Sequence, residues 1–191
     1  MMQKAFKNVR SLQTSAKMFS TYNYRNAEHP KVFMDVSKDG QNKGRLVFEL
    51  YSSHTPALAE NFAAFCNGSA ANQSSFAGSS FSAATAGLGI QGGFIEGNEE
   101  NLNSHNERQE DENLEMRHHK RGLVTMVNEG PNSNGSRFYI TFGEANYLNG
   151  YHNVVGELVA GDDVFSQMEG DVCRESKVHG NWSVHATGMQ H

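Results

Sequence analysis

Two short stretches of this chain carry residue types at spacings that can do chemistry. Gly87-Leu88-Gly89-Ile90-Gln91-Gly92 matches G-x-G-x-x-G, the pattern of a loop that cradles a dinucleotide pyrophosphate. That chemistry needs a strand before the glycines, a helix after them and an acid about 20 residues on. Here the chain continues as "FIEGNEENLNSHN", which reads as strand and then polar loop. No helix N-terminus is offered to a phosphate, so the glycines are not read as a nucleotide loop. The second stretch is "RHHKR", residues 117–121, with His118 beside His119. Adjacent residues of an extended chain face opposite ways, so this pair does not aim at one metal. A structural or solvated turn is the expectation. Cys66 and Cys173 stand far apart with no C-x-x-C spacing and are read as reduced thiols. No metal site and no cofactor is expected.

The elements that must position any site are legible from Lys31 on. "KVFMDVS" puts Val32, Met34 and Val36 on one face, and "RLVFELY" answers with Leu46, Phe48 and Leu50. Further strands are read at "IQGGFI", "GLVTMVN", "SRFYIT", "HNVVGEL" and "NWSVHATG", with Asn-Gly turns at 134–135 and 149–150. Two helices interrupt them. "TPALAENFAAFCNG" has Thr55 as N-cap, Pro56 at the first helical position and Gly68 as a stop. Its apolar face is Leu58, Phe62, Phe65 and Cys66. "AGDDVFSQMEG" is shorter, with Asp162 and Asp163 suited to a helix N-terminus. "GSAANQSSFAGSSFSAATAG" reads as a loosely ordered loop and "GNEENLNSHNERQEDEN" as a solvated connection. Short strands with two helices predict a mainly-β fold, a closed antiparallel barrel with helical caps.

Residues 32–160, and more weakly the chain to 190, resemble the cyclophilins, the cyclosporin-binding prolyl isomerases. The motifs are "GRLVFELY", "P…AENF", "IQGGF", "EDENL", "GLVTMVNEGPNSNGSRFYIT" and "LNGYHNVVGEL". The resemblance implies an eight-stranded antiparallel barrel closed by two helices. It also implies catalysis of rotation about Xaa-Pro bonds. That barrier is largely amide resonance, about 18–20 kcal/mol for an ordinary peptide bond. Lowering it takes an apolar proline pocket and a donor aimed at the prolyl nitrogen, with no cofactor. In the family an arginine supplies the donor, and Ala83 occupies its place here. A methyl group cannot donate. Leu88 and Gly89 replace a phenylalanine and a methionine of the pocket, while Gln91 keeps the family glutamine.

The other wall of the implied groove is better kept. Asn128, Leu148 and His152 match the family residues. Val127 replaces an alanine, Arg137 a glutamine, Tyr139 a phenylalanine and Tyr147 a tryptophan or related aromatic. Small residues at 83 and 89 predict a proline pocket that is wider, shallower or collapsed. Arg137 is the one cation near enough in the pattern to stand in for the missing arginine. Three functions follow in descending order. The first is a degenerate cyclophilin acting as a structural or binding subunit. The others are an active isomerase and a non-catalytic peptide-binding module.

Charge is unevenly spread over the 191 residues. Residues 1–27 hold five of the 16 basic residues and none of the 21 acids, so the remainder carries about −10. An acidic body argues against nucleic acid, and no apolar run approaches the roughly 18 residues of a membrane span. In the head, Met2, Ala5, Phe6, Val9, Leu12 and Ala16 fall on one helical face, with Lys4, Lys7, Arg10 and Lys17 largely off it. That is the composition of a mitochondrial targeting segment. Residues 1–30 are therefore expected to be an extension and 31–191 the folded domain. The expected location is mitochondrial. The expected partners are proteins of a membrane-associated or soluble assembly, contacted partly through residues 1–30.

Overall fold

Alternating apolar and polar residues turn the body into strands, and a computed structural model describes residues 22–172 and 177–191. Residues 1–21 and Cys173 lie outside the described residues. The strands are β1 (Lys31–Lys38), β2 (Gln41–Leu50), β3 (Ala83–Thr85), β4 (Gly89–Gly92), β5 (Leu123–Met126), β6 (Phe138–Thr141), β7 (Val154–Ala160) and β8 (Trp182–Gln190). Two helices join them, α1 (Pro56–Asn67) and α2 (Asp162–Gly170). β1 shows the pattern at work, since Val32, Met34 and Val36 are fully buried between half-buried neighbours. β1 and β2 meet at a tight turn in which Asp39 and Gly40 both take positive φ, 52° and 77°. All pairings are antiparallel, in the order β3-β4-β6-β5-β7-β2-β1-β8.

The sheet is strongly curled, but it does not close as the expected barrel. Its outer strands, β3 and β8, form no ladder with each other. Residues 78–81 span the seam instead. Gly78 N–H donates to Val184 O (2.7 Å), Val184 N–H to Ser79 O (2.9 Å) and Phe81 N–H to Trp182 O (2.9 Å). The closing segment, "GSSF", has the small residues that least favour a pleated strand.

Phenylalanines fill the interior. Phe62 of α1 packs on Phe76 and Phe138, each at 5.0 Å between ring centres, and Phe81 meets Phe138 at 6.2 Å. α1 buries Leu58, Phe62, Phe65 and Cys66. Burial pushes the Cys66 thiol up, which keeps it protonated and inert. Pro56 opens the helix and Gly68 ends it at φ 72°. Thr55 takes the N-cap position as read, but its side chain makes no capping bond. Its hydroxyl turns toward Tyr51 O and Val154 O, and the Glu112 carboxylate accepts from Ala57 and Leu58 N–H, both at 3.0 Å. The cap thus comes from a residue 55 positions away in sequence.

Two loop readings are corrected. The Ser/Ala/Gly stretch contains β3 and places Phe76 and Phe81 in the core. The polar connection is not simply solvated, since Asn101, Asn103 and Ser104 are buried. Asn149-Gly150 sits in a turn, but Asn134-Gly135 does not. Gly135 lies where a Cβ would come within 1.7 Å of Asn101 O, so close backbone approach is what requires glycine there. Among the described residues no helix is long and apolar enough to cross a membrane.

Candidate functional site

Strand register assembles the floor of the implied groove. Ala83 lies opposite Gln91, Gln91 opposite Tyr139, and Tyr139 opposite Thr125. Directly opposed residues share a face, so the four form one row across the sheet. The Ala83 side chain is a methyl group and cannot donate a hydrogen bond. The Gln91 amide has no side-chain hydrogen-bond partner among the described residues. Leu88 closes the β3–β4 turn, with its N–H on Thr85 O (2.9 Å) and its carbonyl accepting from Phe142 N–H (2.8 Å).

The three apolar wall residues pack on one another. Leu88, Leu148 and Tyr139 gather around buried Ala145. Leu88 is 5% exposed and Leu148 9%. Walls of an open pocket must show apolar surface to a ligand, and these two show almost none. Gly89 adds to the closure, because a Cβ there would lie 2.3 Å from Ile140 O. The β6 backbone occupies the space in which a side chain at residue 89 would begin.

Arg137 is committed elsewhere. Its Nη2 donates to Glu99 O (2.7 Å) and its guanidinium lies 5.2 Å from the Phe94 ring centre. Its buried Nε has no partner. Serving the place left by Ala83 would break the Glu99 bond and the ring contact. Val127 is tied into the sheet by its N–H on Arg137 O (2.9 Å).

The opposite side stays open. A cleft of about 320 Å³ lies between the 128–131 and 147–152 loops. Leu114 and Pro131 give it apolar surface, and Asn128, Tyr147, Tyr151 and His152 bring polar groups. Asn128 Nδ2 donates to Tyr151 O (2.8 Å). His152 Nδ1 donates to Met126 O (3.0 Å), which leaves Nε2 as the ring atom for a ligand. Tyr147 and Tyr151 are 63% and 72% exposed, so their rings are available at little further cost. Of the residues named from sequence, Leu88, Tyr139 and Leu148 are brought together in a closed cluster and Asn128, Tyr147 and His152 line an open cleft, while Gln91, Val127 and Arg137 belong to neither.

A model of the cyclophilin type peptidyl-prolyl cis-trans isomerase matches residues 33–188. The chain belongs to the cyclophilin family. It is 40% identical over 147 residues to peptidyl-prolyl cis-trans isomerase CYP21-1 of Arabidopsis thaliana, covering 73% of this chain and 66% of that one. It is 37% identical over 172 residues to probable inactive peptidyl-prolyl cis-trans isomerase-like 6 of Bos taurus, covering 86% of this chain and 56% of that one. The chain therefore spans somewhat over half to about two thirds of the length of these relatives.

Two residues of this cyclophilin were hidden from sequence reasoning. Of the structural and solvated readings of His118 the structural one holds, since the side chain is fully buried. Its backbone N–H and its Nδ1 both reach Asn149 Oδ1, at 2.8 and 2.9 Å. Its Nε2 meets Thr125 Oγ1 at 2.9 Å, and its carbonyl accepts from Ala145 N–H (2.8 Å). Thr125 belongs to the groove row, and residues 145–149 carry Tyr147 and Leu148. His118 therefore pins the cleft loop to the sheet. The second is Asn101, whose side chain binds the backbone of Ser136, Arg137 and Val127.

Burial holds the His118 imidazole below its ordinary range, against the Asn149 bond that favours the proton, and His152 and His119 repel it further. A histidine so shifted binds its proton more readily in the unfolded chain. Its neutral form supports the fold above the ordinary histidine range, and that support is lost as pH falls toward the folded value. Wild type should therefore lose stability as pH falls below about 6.5, and His118→Asn should flatten that part of the profile. Thermal melts across this range check it. Identical slopes for both proteins would contradict it.

Proposed function

We propose that this cyclophilin binds polypeptide without useful prolyl isomerase activity, as a structural or binding subunit of a mitochondrial protein assembly. The observation that carries the first part is the closed Leu88–Tyr139–Leu148 cluster beside a donorless Ala83. Loss of one preorganised donor costs enzymes about 10²–10³ in rate. A pocket that cannot seat a proline ring removes the ground on which the donor would act. The name of the bovine relative is in keeping with this reading. The open cleft supports binding, because its exposed tyrosines, Asn128 and His152 are the groups that hold a peptide's rings and backbone. The basic head supports the mitochondrial location.

Titration of the full chain with Xaa-Pro peptides tests the binding. Saturable binding is expected, weakened about tenfold by Tyr147→Ala, with no faster cis–trans exchange in the bound peptide. Binding unaffected by Tyr147→Ala and His152→Ala would contradict it. Sizing of the native protein tests the assembly, since recovery only as a free chain near 21.1 kDa would exclude it.

A further inference from the structure

Glu49 on β2 and Glu157 on β7 face each other directly across the sheet. They are 5% and 3% exposed. Opposed like charges repel, and burial removes the water that would screen them. Each carboxylate needs donors, and residues 22–30 bring most of them. Arg25 grips Glu157 with both prongs, Nε to Oε1 at 2.6 Å and Nη2 to Oε2 at 3.2 Å. Asn26 N–H and His29 Nδ1 reach Glu49 Oε1 at 2.9 and 3.1 Å. Lys120 adds a contact to Glu157 from the body. Burial alone would raise the Glu157 carboxyl, but the bonds from Arg25 and Lys120 hold it below the usual carboxylate range.

The same segment lays down an aromatic contact. The Tyr24 ring lies 5.7 Å from Tyr51, 5.4 Å from His54 and 5.9 Å from His119, centre to centre. Its hydroxyl accepts from Arg117 N–H (3.2 Å). Tyr22 reaches His119 at 5.4 Å. A segment outside the sheet stays in place only where side chains tie it down. Here an ion pair and an aromatic shelf do so together.

We propose that residues 22–30 are a strap, an intramolecular ligand of an acid-and-aromatic site that the groove residues do not line. The site selects a tyrosine followed by an arginine. The folded unit takes in residues 22–30 as well as the body from Lys31 on, and any removal of the basic head has to spare the strap. Without it, Glu49 would lose its donors from Asn26 and His29, and Glu157 would be left with Lys120 and the neighbouring Tyr51 hydroxyl among the described residues.

Chymotrypsin digestion of the full chain tests the strap, read at Tyr24, whose half-buried ring on Tyr51, His54 and His119 must lift off before the enzyme can cut after it. Arg25→Ala should speed that cleavage at least tenfold and lower Tm by about 5 °C. Glu157→Gln should do the same, and the double variant should lose little more than either single one. A synthetic peptide of residues 22–30 should bind the Arg25→Ala chain and not wild type, whose site is filled. Equal cleavage rates for wild type and Arg25→Ala would overturn the proposal. Should Glu157→Gln fail to fold, the Arg25→Ala digestion and the peptide titration still decide.

Discussion

Gly89→Met will cost about 3 kcal/mol of stability instead of rebuilding a pocket. The substitution restores the side chain that the family resemblance places there. The obstacle is backbone, not a side chain that can swing away. A Cβ at residue 89 would sit 2.3 Å from Ile140 O and 3.1 Å from Thr141 Cα, both on β6. β4 and β6 would have to part, and the Gly89–Thr141 and Ile90–Ile140 pairings would go with them. Urea denaturation reads the loss as a lower midpoint at unchanged slope. A variant as stable as wild type would show that β4 has room to move. Ala83→Arg is a milder change, since residue 83 is only half-buried. Alone it should restore no rate, because Leu88, Tyr139 and Leu148 stay packed on one another and Leu88 and Leu148 show almost no surface to a ligand.

Asn101→Ala will cost about 4 kcal/mol. Asn101 is 2% exposed and sits at φ 56°, a left-handed conformation that asparagine tolerates and alanine resists. Its Oδ1 accepts from Ser136 N–H (3.0 Å) and Arg137 N–H (2.8 Å), and its Nδ2 donates to Val127 O (3.2 Å). Alanine orphans all three groups and strains the backbone at once. Asn101→Asp keeps the two accepted bonds and most of the backbone preference, so about half the loss is expected. A loss below about 1 kcal/mol for Asn101→Ala would mean that water replaces the side chain. The same change should disturb the groove wall, since Arg137 and Val127 are the residues released.

Asn101 also shows where sequence reading stops. The strands were legible because alternation is local, and β1, β2 and β5–β8 lie where their apolar residues predicted. α1 was legible from Pro56, Gly68 and one apolar stripe. β3 was not, because "AAT" carries no alternation and is a strand only by pairing with β4. Phe76 and Phe81 were hidden in a Ser/Gly-rich stretch for the same reason. The buried asparagines read as solvated, since composition cannot show that a polar side chain will serve backbone 35 residues away. The Glu112 cap on α1 and the His118 pin on the cleft loop are non-local in the same sense.

The site was legible in its losses and obscure in their consequence. Ala83, Leu88 and Gly89 stood out against the family pattern. That pattern left open whether the cavity would widen or collapse. Only packing shows Leu88 against Leu148 and Tyr139, and only the Glu99 bond shows where Arg137 went. The strap was missed because its logic is electrostatic and long-range. Nothing near Arg25 in sequence announces that Glu157 waits for it.

The most direct measurement is the cis-to-trans rate of an Xaa-Pro test peptide with and without the full chain. No acceleration above the uncatalysed rate, which relaxes over about 10–100 s, is the predicted result. Clear acceleration would contradict it. Loss of that acceleration in Arg137→Ala would then show that this guanidinium leaves Glu99 to do the work of the missing arginine.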